Sequence, residues 1–538
     1  MSLERLTLTG SELTLSDVAA FVKNARARVE FLDSARAAVE RSKTFLDRHL
    51  SDGIIYGVNT GFGPMAAHII AKDSLAELQR NLIWSHAVGI GEPIPDCYVV
   101  AMMLVRLNTL AKGFSGVSWA LVERLQTLLN KRIVPLVPEH GAVGTSGDLV
   151  QLAHIALALL GQGEVRYENE IRPAGEVLRE NEMPPYELEP KEGLALINGT
   201  SGMSGIAALL CVEARTALSV ATRTGALGFE LMRGFHDGIS DRFHSLRPHQ
   251  GQVQIAATLR NYLQSSKLLR DRAITYTPYH SAEEAYILPE PVQEIYSLRC
   301  IPQILGPVLD TLAKTWSIVE IEINAVTDNP VVDAQENLFL HGGHFHGEYI
   351  ASAVDQLKAA LVKLTMLSER RINCFLNPNM NRRFPPFLNL NTLGLNLGLQ
   401  GLQFVATSTA AQSQTLAFPH SVHSIPTNGD NQDVVSMGLD AALLAMKVLQ
   451  NAYVVLAIEA VTLAQAVDYL GDREQLSLPS QEFFKLIRRA LPKIDTDRPI
   501  HRELAMVVEA IKATQPMDFC GTLPAARDWT DENDPLPS

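Results

Sequence analysis

The residues with most chemical promise are Thr145, Ser146 and Gly147, inside the run Gly141-Ala142-Val143-Gly144-Thr145-Ser146-Gly147-Asp148-Leu149. Three consecutive residues of these types can cyclise. The Gly147 amide nitrogen attacks the Thr145 carbonyl carbon, whose oxygen leaves as one water, and the Ser146 hydroxyl leaves as a second. The product is a five-membered imidazolone with an exocyclic methylidene, 4-methylidene-imidazol-5-one (MIO), a carbon electrophile that no standard side chain supplies. Each residue type has a reason. Gly147 lacks a Cβ, so its backbone can fold back and its nitrogen is unhindered. Ser146 carries the leaving hydroxyl, and Thr145 contributes only its carbonyl. Gly141 and Gly144 suit a compressed loop, and Asp148 is placed to move protons during cyclisation.

Other residues supply the functions such an electrophile needs. Tyr56 lies in Tyr56-Gly57-Val58-Asn59-Thr60-Gly61-Phe62-Gly63, a glycine-rich loop in which Gly61 and Gly63 provide mobility for a lid. Arg299 offers a planar guanidinium that can grip both oxygens of a carboxylate. Tyr296 stands three residues before it, on the same face of any helix there. Ser85 and His86 end Asn81-Leu82-Ile83-Trp84-Ser85-His86, and a histidine can hydrogen-bond a phenol or an imidazole. Amides recur at Asn198, in Leu196-Ile197-Asn198-Gly199-Thr200-Ser201, and at Asn431 and Gln432, in Asp430-Asn431-Gln432-Asp433-Val434-Val435-Ser436-Met437-Gly438. Phe345 opens Phe345-His346-Gly347, and Gln412 lies in Thr409-Ala410-Ala411-Gln412-Ser413-Gln414.

In their order along about residues 50–470, these motifs resemble those of the MIO-dependent aromatic amino acid ammonia-lyases and aminomutases. The resemblance is greatest to bacterial tyrosine ammonia-lyases. It implies that the ring captures the substrate amine and that the Tyr56 oxygen removes the β-hydrogen. A tyrosine base needs surroundings that favour its phenolate. By the same resemblance Tyr296 assists the amine, Asn198 supports the ring oxygen and the substrate, Phe345 shields the ring, and Asn431 and Gln432 form a polar pair near ring and carboxylate. Gly63 would contact substrate from the lid. Gln412 occupies a position where most of the family has glutamate. Glutamine is nearly isosteric but cannot titrate, which weighs against a histidine substrate.

Ser85-His86 argues against phenylalanine, whose ring has no polar partner to offer. The pair suits tyrosine and histidine alike. Histidine lyases typically carry Gln-Glu-Asp-His-Val where this chain has Asn431-Gln432-Asp433-Val434-Val435. The expected activity is therefore a tyrosine ammonia-lyase, releasing trans-4-coumarate and ammonia from L-tyrosine. The alternatives are a histidine ammonia-lyase forming urocanate, and a tyrosine or phenylalanine aminomutase. From a different class, a non-catalytic helical scaffold would lack the ring.

The elements that must position these residues read as mainly α. Helical periodicity covers 98–112, 119–130 and 150–160, and is sustained over 202–234, 303–325, 347–375 and 438–470. These lengths imply a long central helical bundle, of the fumarase/aspartase-like ammonia-lyase type by the resemblance, which also implies a homotetramer with shared active sites. The expected layout is an N-terminal region over 1–200 carrying both loops, a long-helix bundle over 201–475, and C-terminal helices with a disordered acidic tail over 476–538. Leu6-Thr7-Leu8 reads as a strand, Ser16 as a helix cap, 32–50 as a helix, and 53–64 and 275–298 as loops. The 150–160 helix begins just after the ring tripeptide, so its positive end would favour negative charge developing there.

The chain has 538 residues, 46% of them apolar and 20% charged, with a net charge of −13. That balance fits an ordinary globular protein and argues against nucleic acid or an anionic membrane as a partner. The five cysteines show no Cys-x-x-Cys pair, so neither a disulfide framework nor a zinc site is indicated. No metal or nucleotide cofactor is expected. The first residues lack the basic start and apolar run of a signal peptide, and no unbroken apolar stretch reaches the ~18 residues of a membrane span. The cytoplasm is the expected compartment.

Overall fold

The computed structural model describes residues 3–276, 288, 292–519 and 521–524. It is mainly helical. Four long helices dominate, Ser201–Leu231, Ile301–Glu322, Glu348–Leu376 and Gly438–Leu470, each within a few residues of the span expected from periodicity. The Gly438–Leu470 helix packs along both Glu348–Leu376 and Ser201–Leu231, and Ile301–Glu322 lies against the latter two. One hydrophobic cluster runs through all three stretches, 1–200, 201–475 and 476–538, from Leu3 to Leu523.

Two of these helices, Ser201–Leu231 and Gly438–Leu470, are long and apolar enough to cross a membrane by length and hydropathy, although polar or charged residues interrupt both. Both are mostly buried inside the bundle, where an apolar surface on every side is what packing demands. A fully buried ion pair, Arg371 with Glu459, joins Glu348–Leu376 to Gly438–Leu470. Thr224 Oγ1 donates to Glu459 Oε2 at 2.8 Å and Ser368 Oγ does so at 2.5 Å, so donors from two helices satisfy a carboxylate on a third. An unpaired charge at this depth would be strongly destabilising, which pins the helix register.

The N-terminal part wraps this bundle with shorter elements. The expected strand is Arg5–Leu8, paired in parallel with Arg28–Phe31. The first helix is Leu15–Lys23, capped by Thr14 rather than Ser16: Thr14 Oγ1 accepts from Asp17 N, and the Asp17 carboxylate accepts from Thr14 N, a reciprocal pair that Ser16 inside the helix cannot make. The 32–50 segment forms a helix over Asp33–His49. Within 275–298, residues 277–287 and 289–291 lie outside the described residues, as do residues 525–538 of the acidic tail.

The loop carrying Tyr56 is tied down at its base. Ile55 and Val58 are buried against Phe45, Leu46 and Val332. Ile55 N donates to Asn59 Oδ1 at 2.8 Å, and the Asn59 amide donates to Gly53 O at 2.7 Å. The buried Gln79 donates to Gly57 O at 3.0 Å while its Oε1 accepts from Leu194 N at 2.9 Å. Tyr56 thus projects from an anchored turn.

Candidate active site

The starts of four helices converge on the Ser146 loop. Leu149–Leu159 begins just after it. Gly147 forms a β-bridge with Gly199, which precedes Ser201–Leu231. Gly347 N donates to Gly144 O at the head of Glu348–Leu376, and Met437 N donates to Val143 O at the head of Gly438–Leu470, each at 3.0 Å. The positive ends of these helices lie around one loop, an arrangement that favours negative charge forming there.

The tripeptide fits ring formation. Gly147 has φ +70°, and a Cβ there would sit 1.9 Å from the Gly199 carbonyl oxygen, so any side chain would force the loop open. Gly199 N donates to Ser146 O at 3.2 Å, and Asp148 N donates to Gly199 O at 2.9 Å, clamping the turn on both sides. Ser146 Oγ accepts from Gln432 Nε2 at 3.1 Å. Thr145 is buried, and its Oγ1 has no hydrogen-bond partner among the described residues.

Asp148 is fully buried. Its Oδ2 accepts from Met203 N at 2.8 Å, yet burial outweighs that bond and pushes its pKa up to about 7. A carboxyl beside the tripeptide therefore holds its proton near neutrality. The unfolded chain ionises this group near 3.8 and so sheds the proton first as pH rises. The stability contributed by the protonated carboxyl is complete below that value and is lost as pH climbs through about 7. Asp148→Asn is expected to flatten this fall. Urea denaturation of both proteins at several pH values checks it, and parallel stability profiles would disprove it.

A cavity of about 960 Å³ opens over the loop. Its wall includes Tyr56, Gly63, Ser85, His86, Thr145, Ser146, Gly147, Asn198, Phe345, Asn431 and Gln432. Tyr56 Oη accepts from Gly63 N at 3.0 Å, which orients the phenol oxygen. Gly63 itself has φ +52°, and a Cβ would strike Asn428 Nδ2 at 2.4 Å. Gln432 also accepts from Thr427 Oγ1 through Oε1 at 2.9 Å, so its amide is aimed at Ser146.

His86 is oriented from behind. Its Nδ1 lies 2.8 Å from Leu82 O and 3.0 Å from Ser85 Oγ, while Ser85 Oγ donates to Leu82 O at 3.0 Å. A carbonyl oxygen only accepts, so Nδ1 carries the hydrogen. In the neutral form of the ring that placement leaves the lone pair on Nε2.

Asn198 departs from the role the resemblance implied. Its Nδ2 donates to Asn329 O at 3.1 Å and to Asp328 Oδ1 at 3.4 Å. The amide hydrogens are directed at those two acceptors and not at a ring oxygen. Asp328 in turn pairs with Lys191 Nζ at 2.9 Å through both oxygens, with both side chains fully buried.

Three expected residues are not brought into the cavity of their own chain. The Arg299 guanidinium stacks 4.5 Å from the ring centroid of Tyr296, which is 69% exposed, and Arg299 also donates to the Glu294 carbonyl. Both stand on the short helix Tyr296–Arg299. Gln412 lies on the helix Gln400–Leu416, exposed, with its Oε1 accepting from Asn451 Nδ2 at 3.0 Å. The physical reason is that Tyr296 and Gln412 face outward from their helices, while the half-buried Arg299 is turned onto Tyr296 and the Glu294 carbonyl. In the other direction, Asn329 and Asn428 line the cavity without having been singled out. The polar run Thr327-Asp328-Asn329-Pro330 after an apolar helix was the signal for the first of them.

Residues 13–489 match the family profile described as aromatic amino acid lyase. The histidine ammonia-lyase of Bacillus subtilis is 40% identical over 513 residues, covering 94% of this chain and 96% of that protein. The histidine ammonia-lyase of Treponema denticola is 39% identical over 520 residues, covering 96% and 99%. Among solved structures, tyrosine aminomutase from Streptomyces globisporus superposes with a TM-score of 0.88 at 37% identity, covering 94% of this chain and 97% of that one.

The relatives named histidine ammonia-lyase overturn the expectation of a tyrosine ammonia-lyase. The expectation leaned on Asn431-Gln432-Asp433, but Gln432 is engaged with Ser146 and Thr427, so its identity does not discriminate between substrate rings. From the profile, the full-length relatives and the superposed fold, the chain belongs to the aromatic amino acid lyase family and is a carbon–nitrogen lyase.

Proposed function

We propose that this protein is a histidine ammonia-lyase, converting L-histidine into trans-urocanate and ammonium. The relatives carry the reading, and the His86 ring, which suits an imidazole as well as a phenol, is compatible with it. Leu82 O and Ser85 hold its Nδ1, so Nε2 can accept a hydrogen bond from an imidazole N–H. Relatives about 40% identical over nearly the whole chain bear that name. Gln412 cannot titrate, so in this reading recognition of the imidazole falls to His86.

Thr145, Ser146 and Gly147 would form MIO, whose methylidene supplies a carbon electrophile for the substrate amine. The remaining work belongs to side chains. Tyr56 takes the β-hydrogen on its phenol oxygen, held by Gly63. Phe345 covers the loop and keeps water off. Gln432 and Asn431 steady the polar end of the substrate. Arg299 grips the substrate carboxylate, with Tyr296 beside it and Gln412 nearby, and all three are supplied by neighbouring subunits of a homotetramer. The exposure of Tyr296 and Gln412, and the absence of all three from the wall of their own chain's cavity, support that assembly. A fully active monomer in light scattering would overturn it.

Separate incubations with L-histidine, L-tyrosine and L-phenylalanine test the reading. Urocanate is the expected product, and coumarate, cinnamate or a β-amino acid in its place would refute it. His86→Leu should raise KM for L-histidine by about tenfold or more, because a buried polar contact to substrate is lost. An unchanged KM would remove His86 from recognition.

A further inference from the structure

Asn198 lines the cavity and is only 3% exposed. Its amide has one donor end and one acceptor end, and its neighbours decide which faces inward. Asp328 Oδ1 and Asn329 O are both acceptors, and only the NH2 end can satisfy them. A reversed amide would set three oxygens against one another. The orientation is therefore imposed by the surroundings, and it leaves Oδ1 as the amide atom presented to the cavity.

The imposing group is itself fixed. Asp328 is held by Lys191 Nζ through both oxygens at 2.9 Å, and Asp328 Oδ1 also accepts from Asn329 N at 2.7 Å. Both side chains of the ion pair are fully buried, so neither can swing away without stranding a charge. The backbone of Asn198 has no freedom either. Its N–H donates to Leu194 O at 2.9 Å, and the next residue, Gly199, bridges to Gly147. Asn329 Oδ1 accepts from Gly342 N at 2.9 Å, which ties the same segment to the loop that carries Phe345.

An acceptor oxygen fixed next to the ring-forming loop matches an N–H donor on the substrate and opposes a carboxylate. The donor every substrate of this reaction brings to that loop is its α-amino group. We propose that Lys191 and Asp328 are positioning residues that lock the Asn198 amide in this polarity, so that its Oδ1 accepts a hydrogen bond from the substrate α-amino group. The inference deepens the ammonia-lyase reading and rests on it.

The test uses Ser146→Ala protein, in which binding is read without turnover. Dissociation constants are measured calorimetrically for L-histidine, for histamine, which lacks the carboxylate, and for 3-(imidazol-4-yl)propionate, which lacks the amine. The same three-member sets are run for tyrosine and phenylalanine. Asn198→Ala is then added, and separately the double change Lys191→Met with Asp328→Asn, which replaces the ion pair by a neutral pair and frees the amide to turn. Both backgrounds are expected to weaken the amino acid and its amine by about tenfold to a hundredfold, the scale of a hydrogen bond to a charged group. The amine-free acid should change by less than about twofold on the same scale. Weakening of the acid with the amine spared would assign Asn198 to the carboxylate and overturn the proposal. Equal weakening of all three would reduce Asn198 and the ion pair to scaffold and overturn it as well. If another amino acid binds and L-histidine does not, the histidine reading alone falls, and the amine-against-acid comparison is read on the set that binds.

Discussion

Ser146→Ala is expected to abolish ammonia release, lowering kcat by about 10³-fold or more, the scale seen when a residue central to covalent catalysis is removed. Alanine has no hydroxyl to leave, so no alkene can form at position 146. The rest of the loop should survive. Gly147 still closes against Gly199, and the clamps from Gly199 N to Ser146 O and from Asp148 N to Gly199 O are backbone bonds. Relative to the uncyclised chain, only the hydrogen bond from Gln432 Nε2 to Ser146 Oγ is lost, with a net effect on stability of about 1 kcal/mol. Intact mass separates the two consequences. The native protein should be lighter than its sequence by two water molecules, and the variant should carry no such deficit. A native chain of full mass, or a variant that turns over at a near-normal rate, would end the ring mechanism.

Tyr56→Phe is expected to lower kcat by about 10²–10⁴-fold, the usual contribution of a positioned base, with KM for substrate changed little. The variant keeps the ring's edge-on contact with Phe62, at 6.4 Å between centroids. It also keeps the anchors at Ile55, Val58 and Gln79. What disappears is the oxygen that accepts from Gly63 N. The two-water mass deficit should be undiminished, because Tyr56 takes no part in the cyclising tripeptide. Steady-state kinetics over a range of L-histidine concentrations decides the matter. A loss confined to KM would make Tyr56 a binding residue and leave the base to be found elsewhere.

Much of the helical scaffold was legible because long buried helices write their period into the chain. The Gly438–Leu470 and Glu348–Leu376 helices begin and end close to where the apolar spacing placed them. The helix Gln400–Leu416 was not legible in the same way. It buries only Leu402, Ala406, Ala410 and Ser413, a stripe one residue wide in a segment otherwise rich in Gln, Thr and Ser. A stripe that narrow barely stands out from a polar turn. Cap choice was also beyond the sequence, since Thr14 and Ser16 are equally good hydroxyl donors and acceptors and only the chain's entry angle selects between them.

The candidate site divides along similar lines. Cyclisation needs Thr145, Ser146 and Gly147 side by side, so the residues that can make the electrophile are readable from sequence without any fold. The pairing of Ser85 with His86 is local in the same sense, and so is the proximity of Tyr296 to Arg299. The tertiary structure decided everything that depends on a third party. It put the starts of four helices around one loop. It fixed the His86 hydrogen on Nδ1 through a carbonyl one turn back. It turned the Asn198 amide through an aspartate 130 positions away. It left Arg299 and Gln412 outside the cavity of their own chain. Hydrogen-bond polarity and the direction a helix face points are properties of pairs of segments, and no single segment carries them.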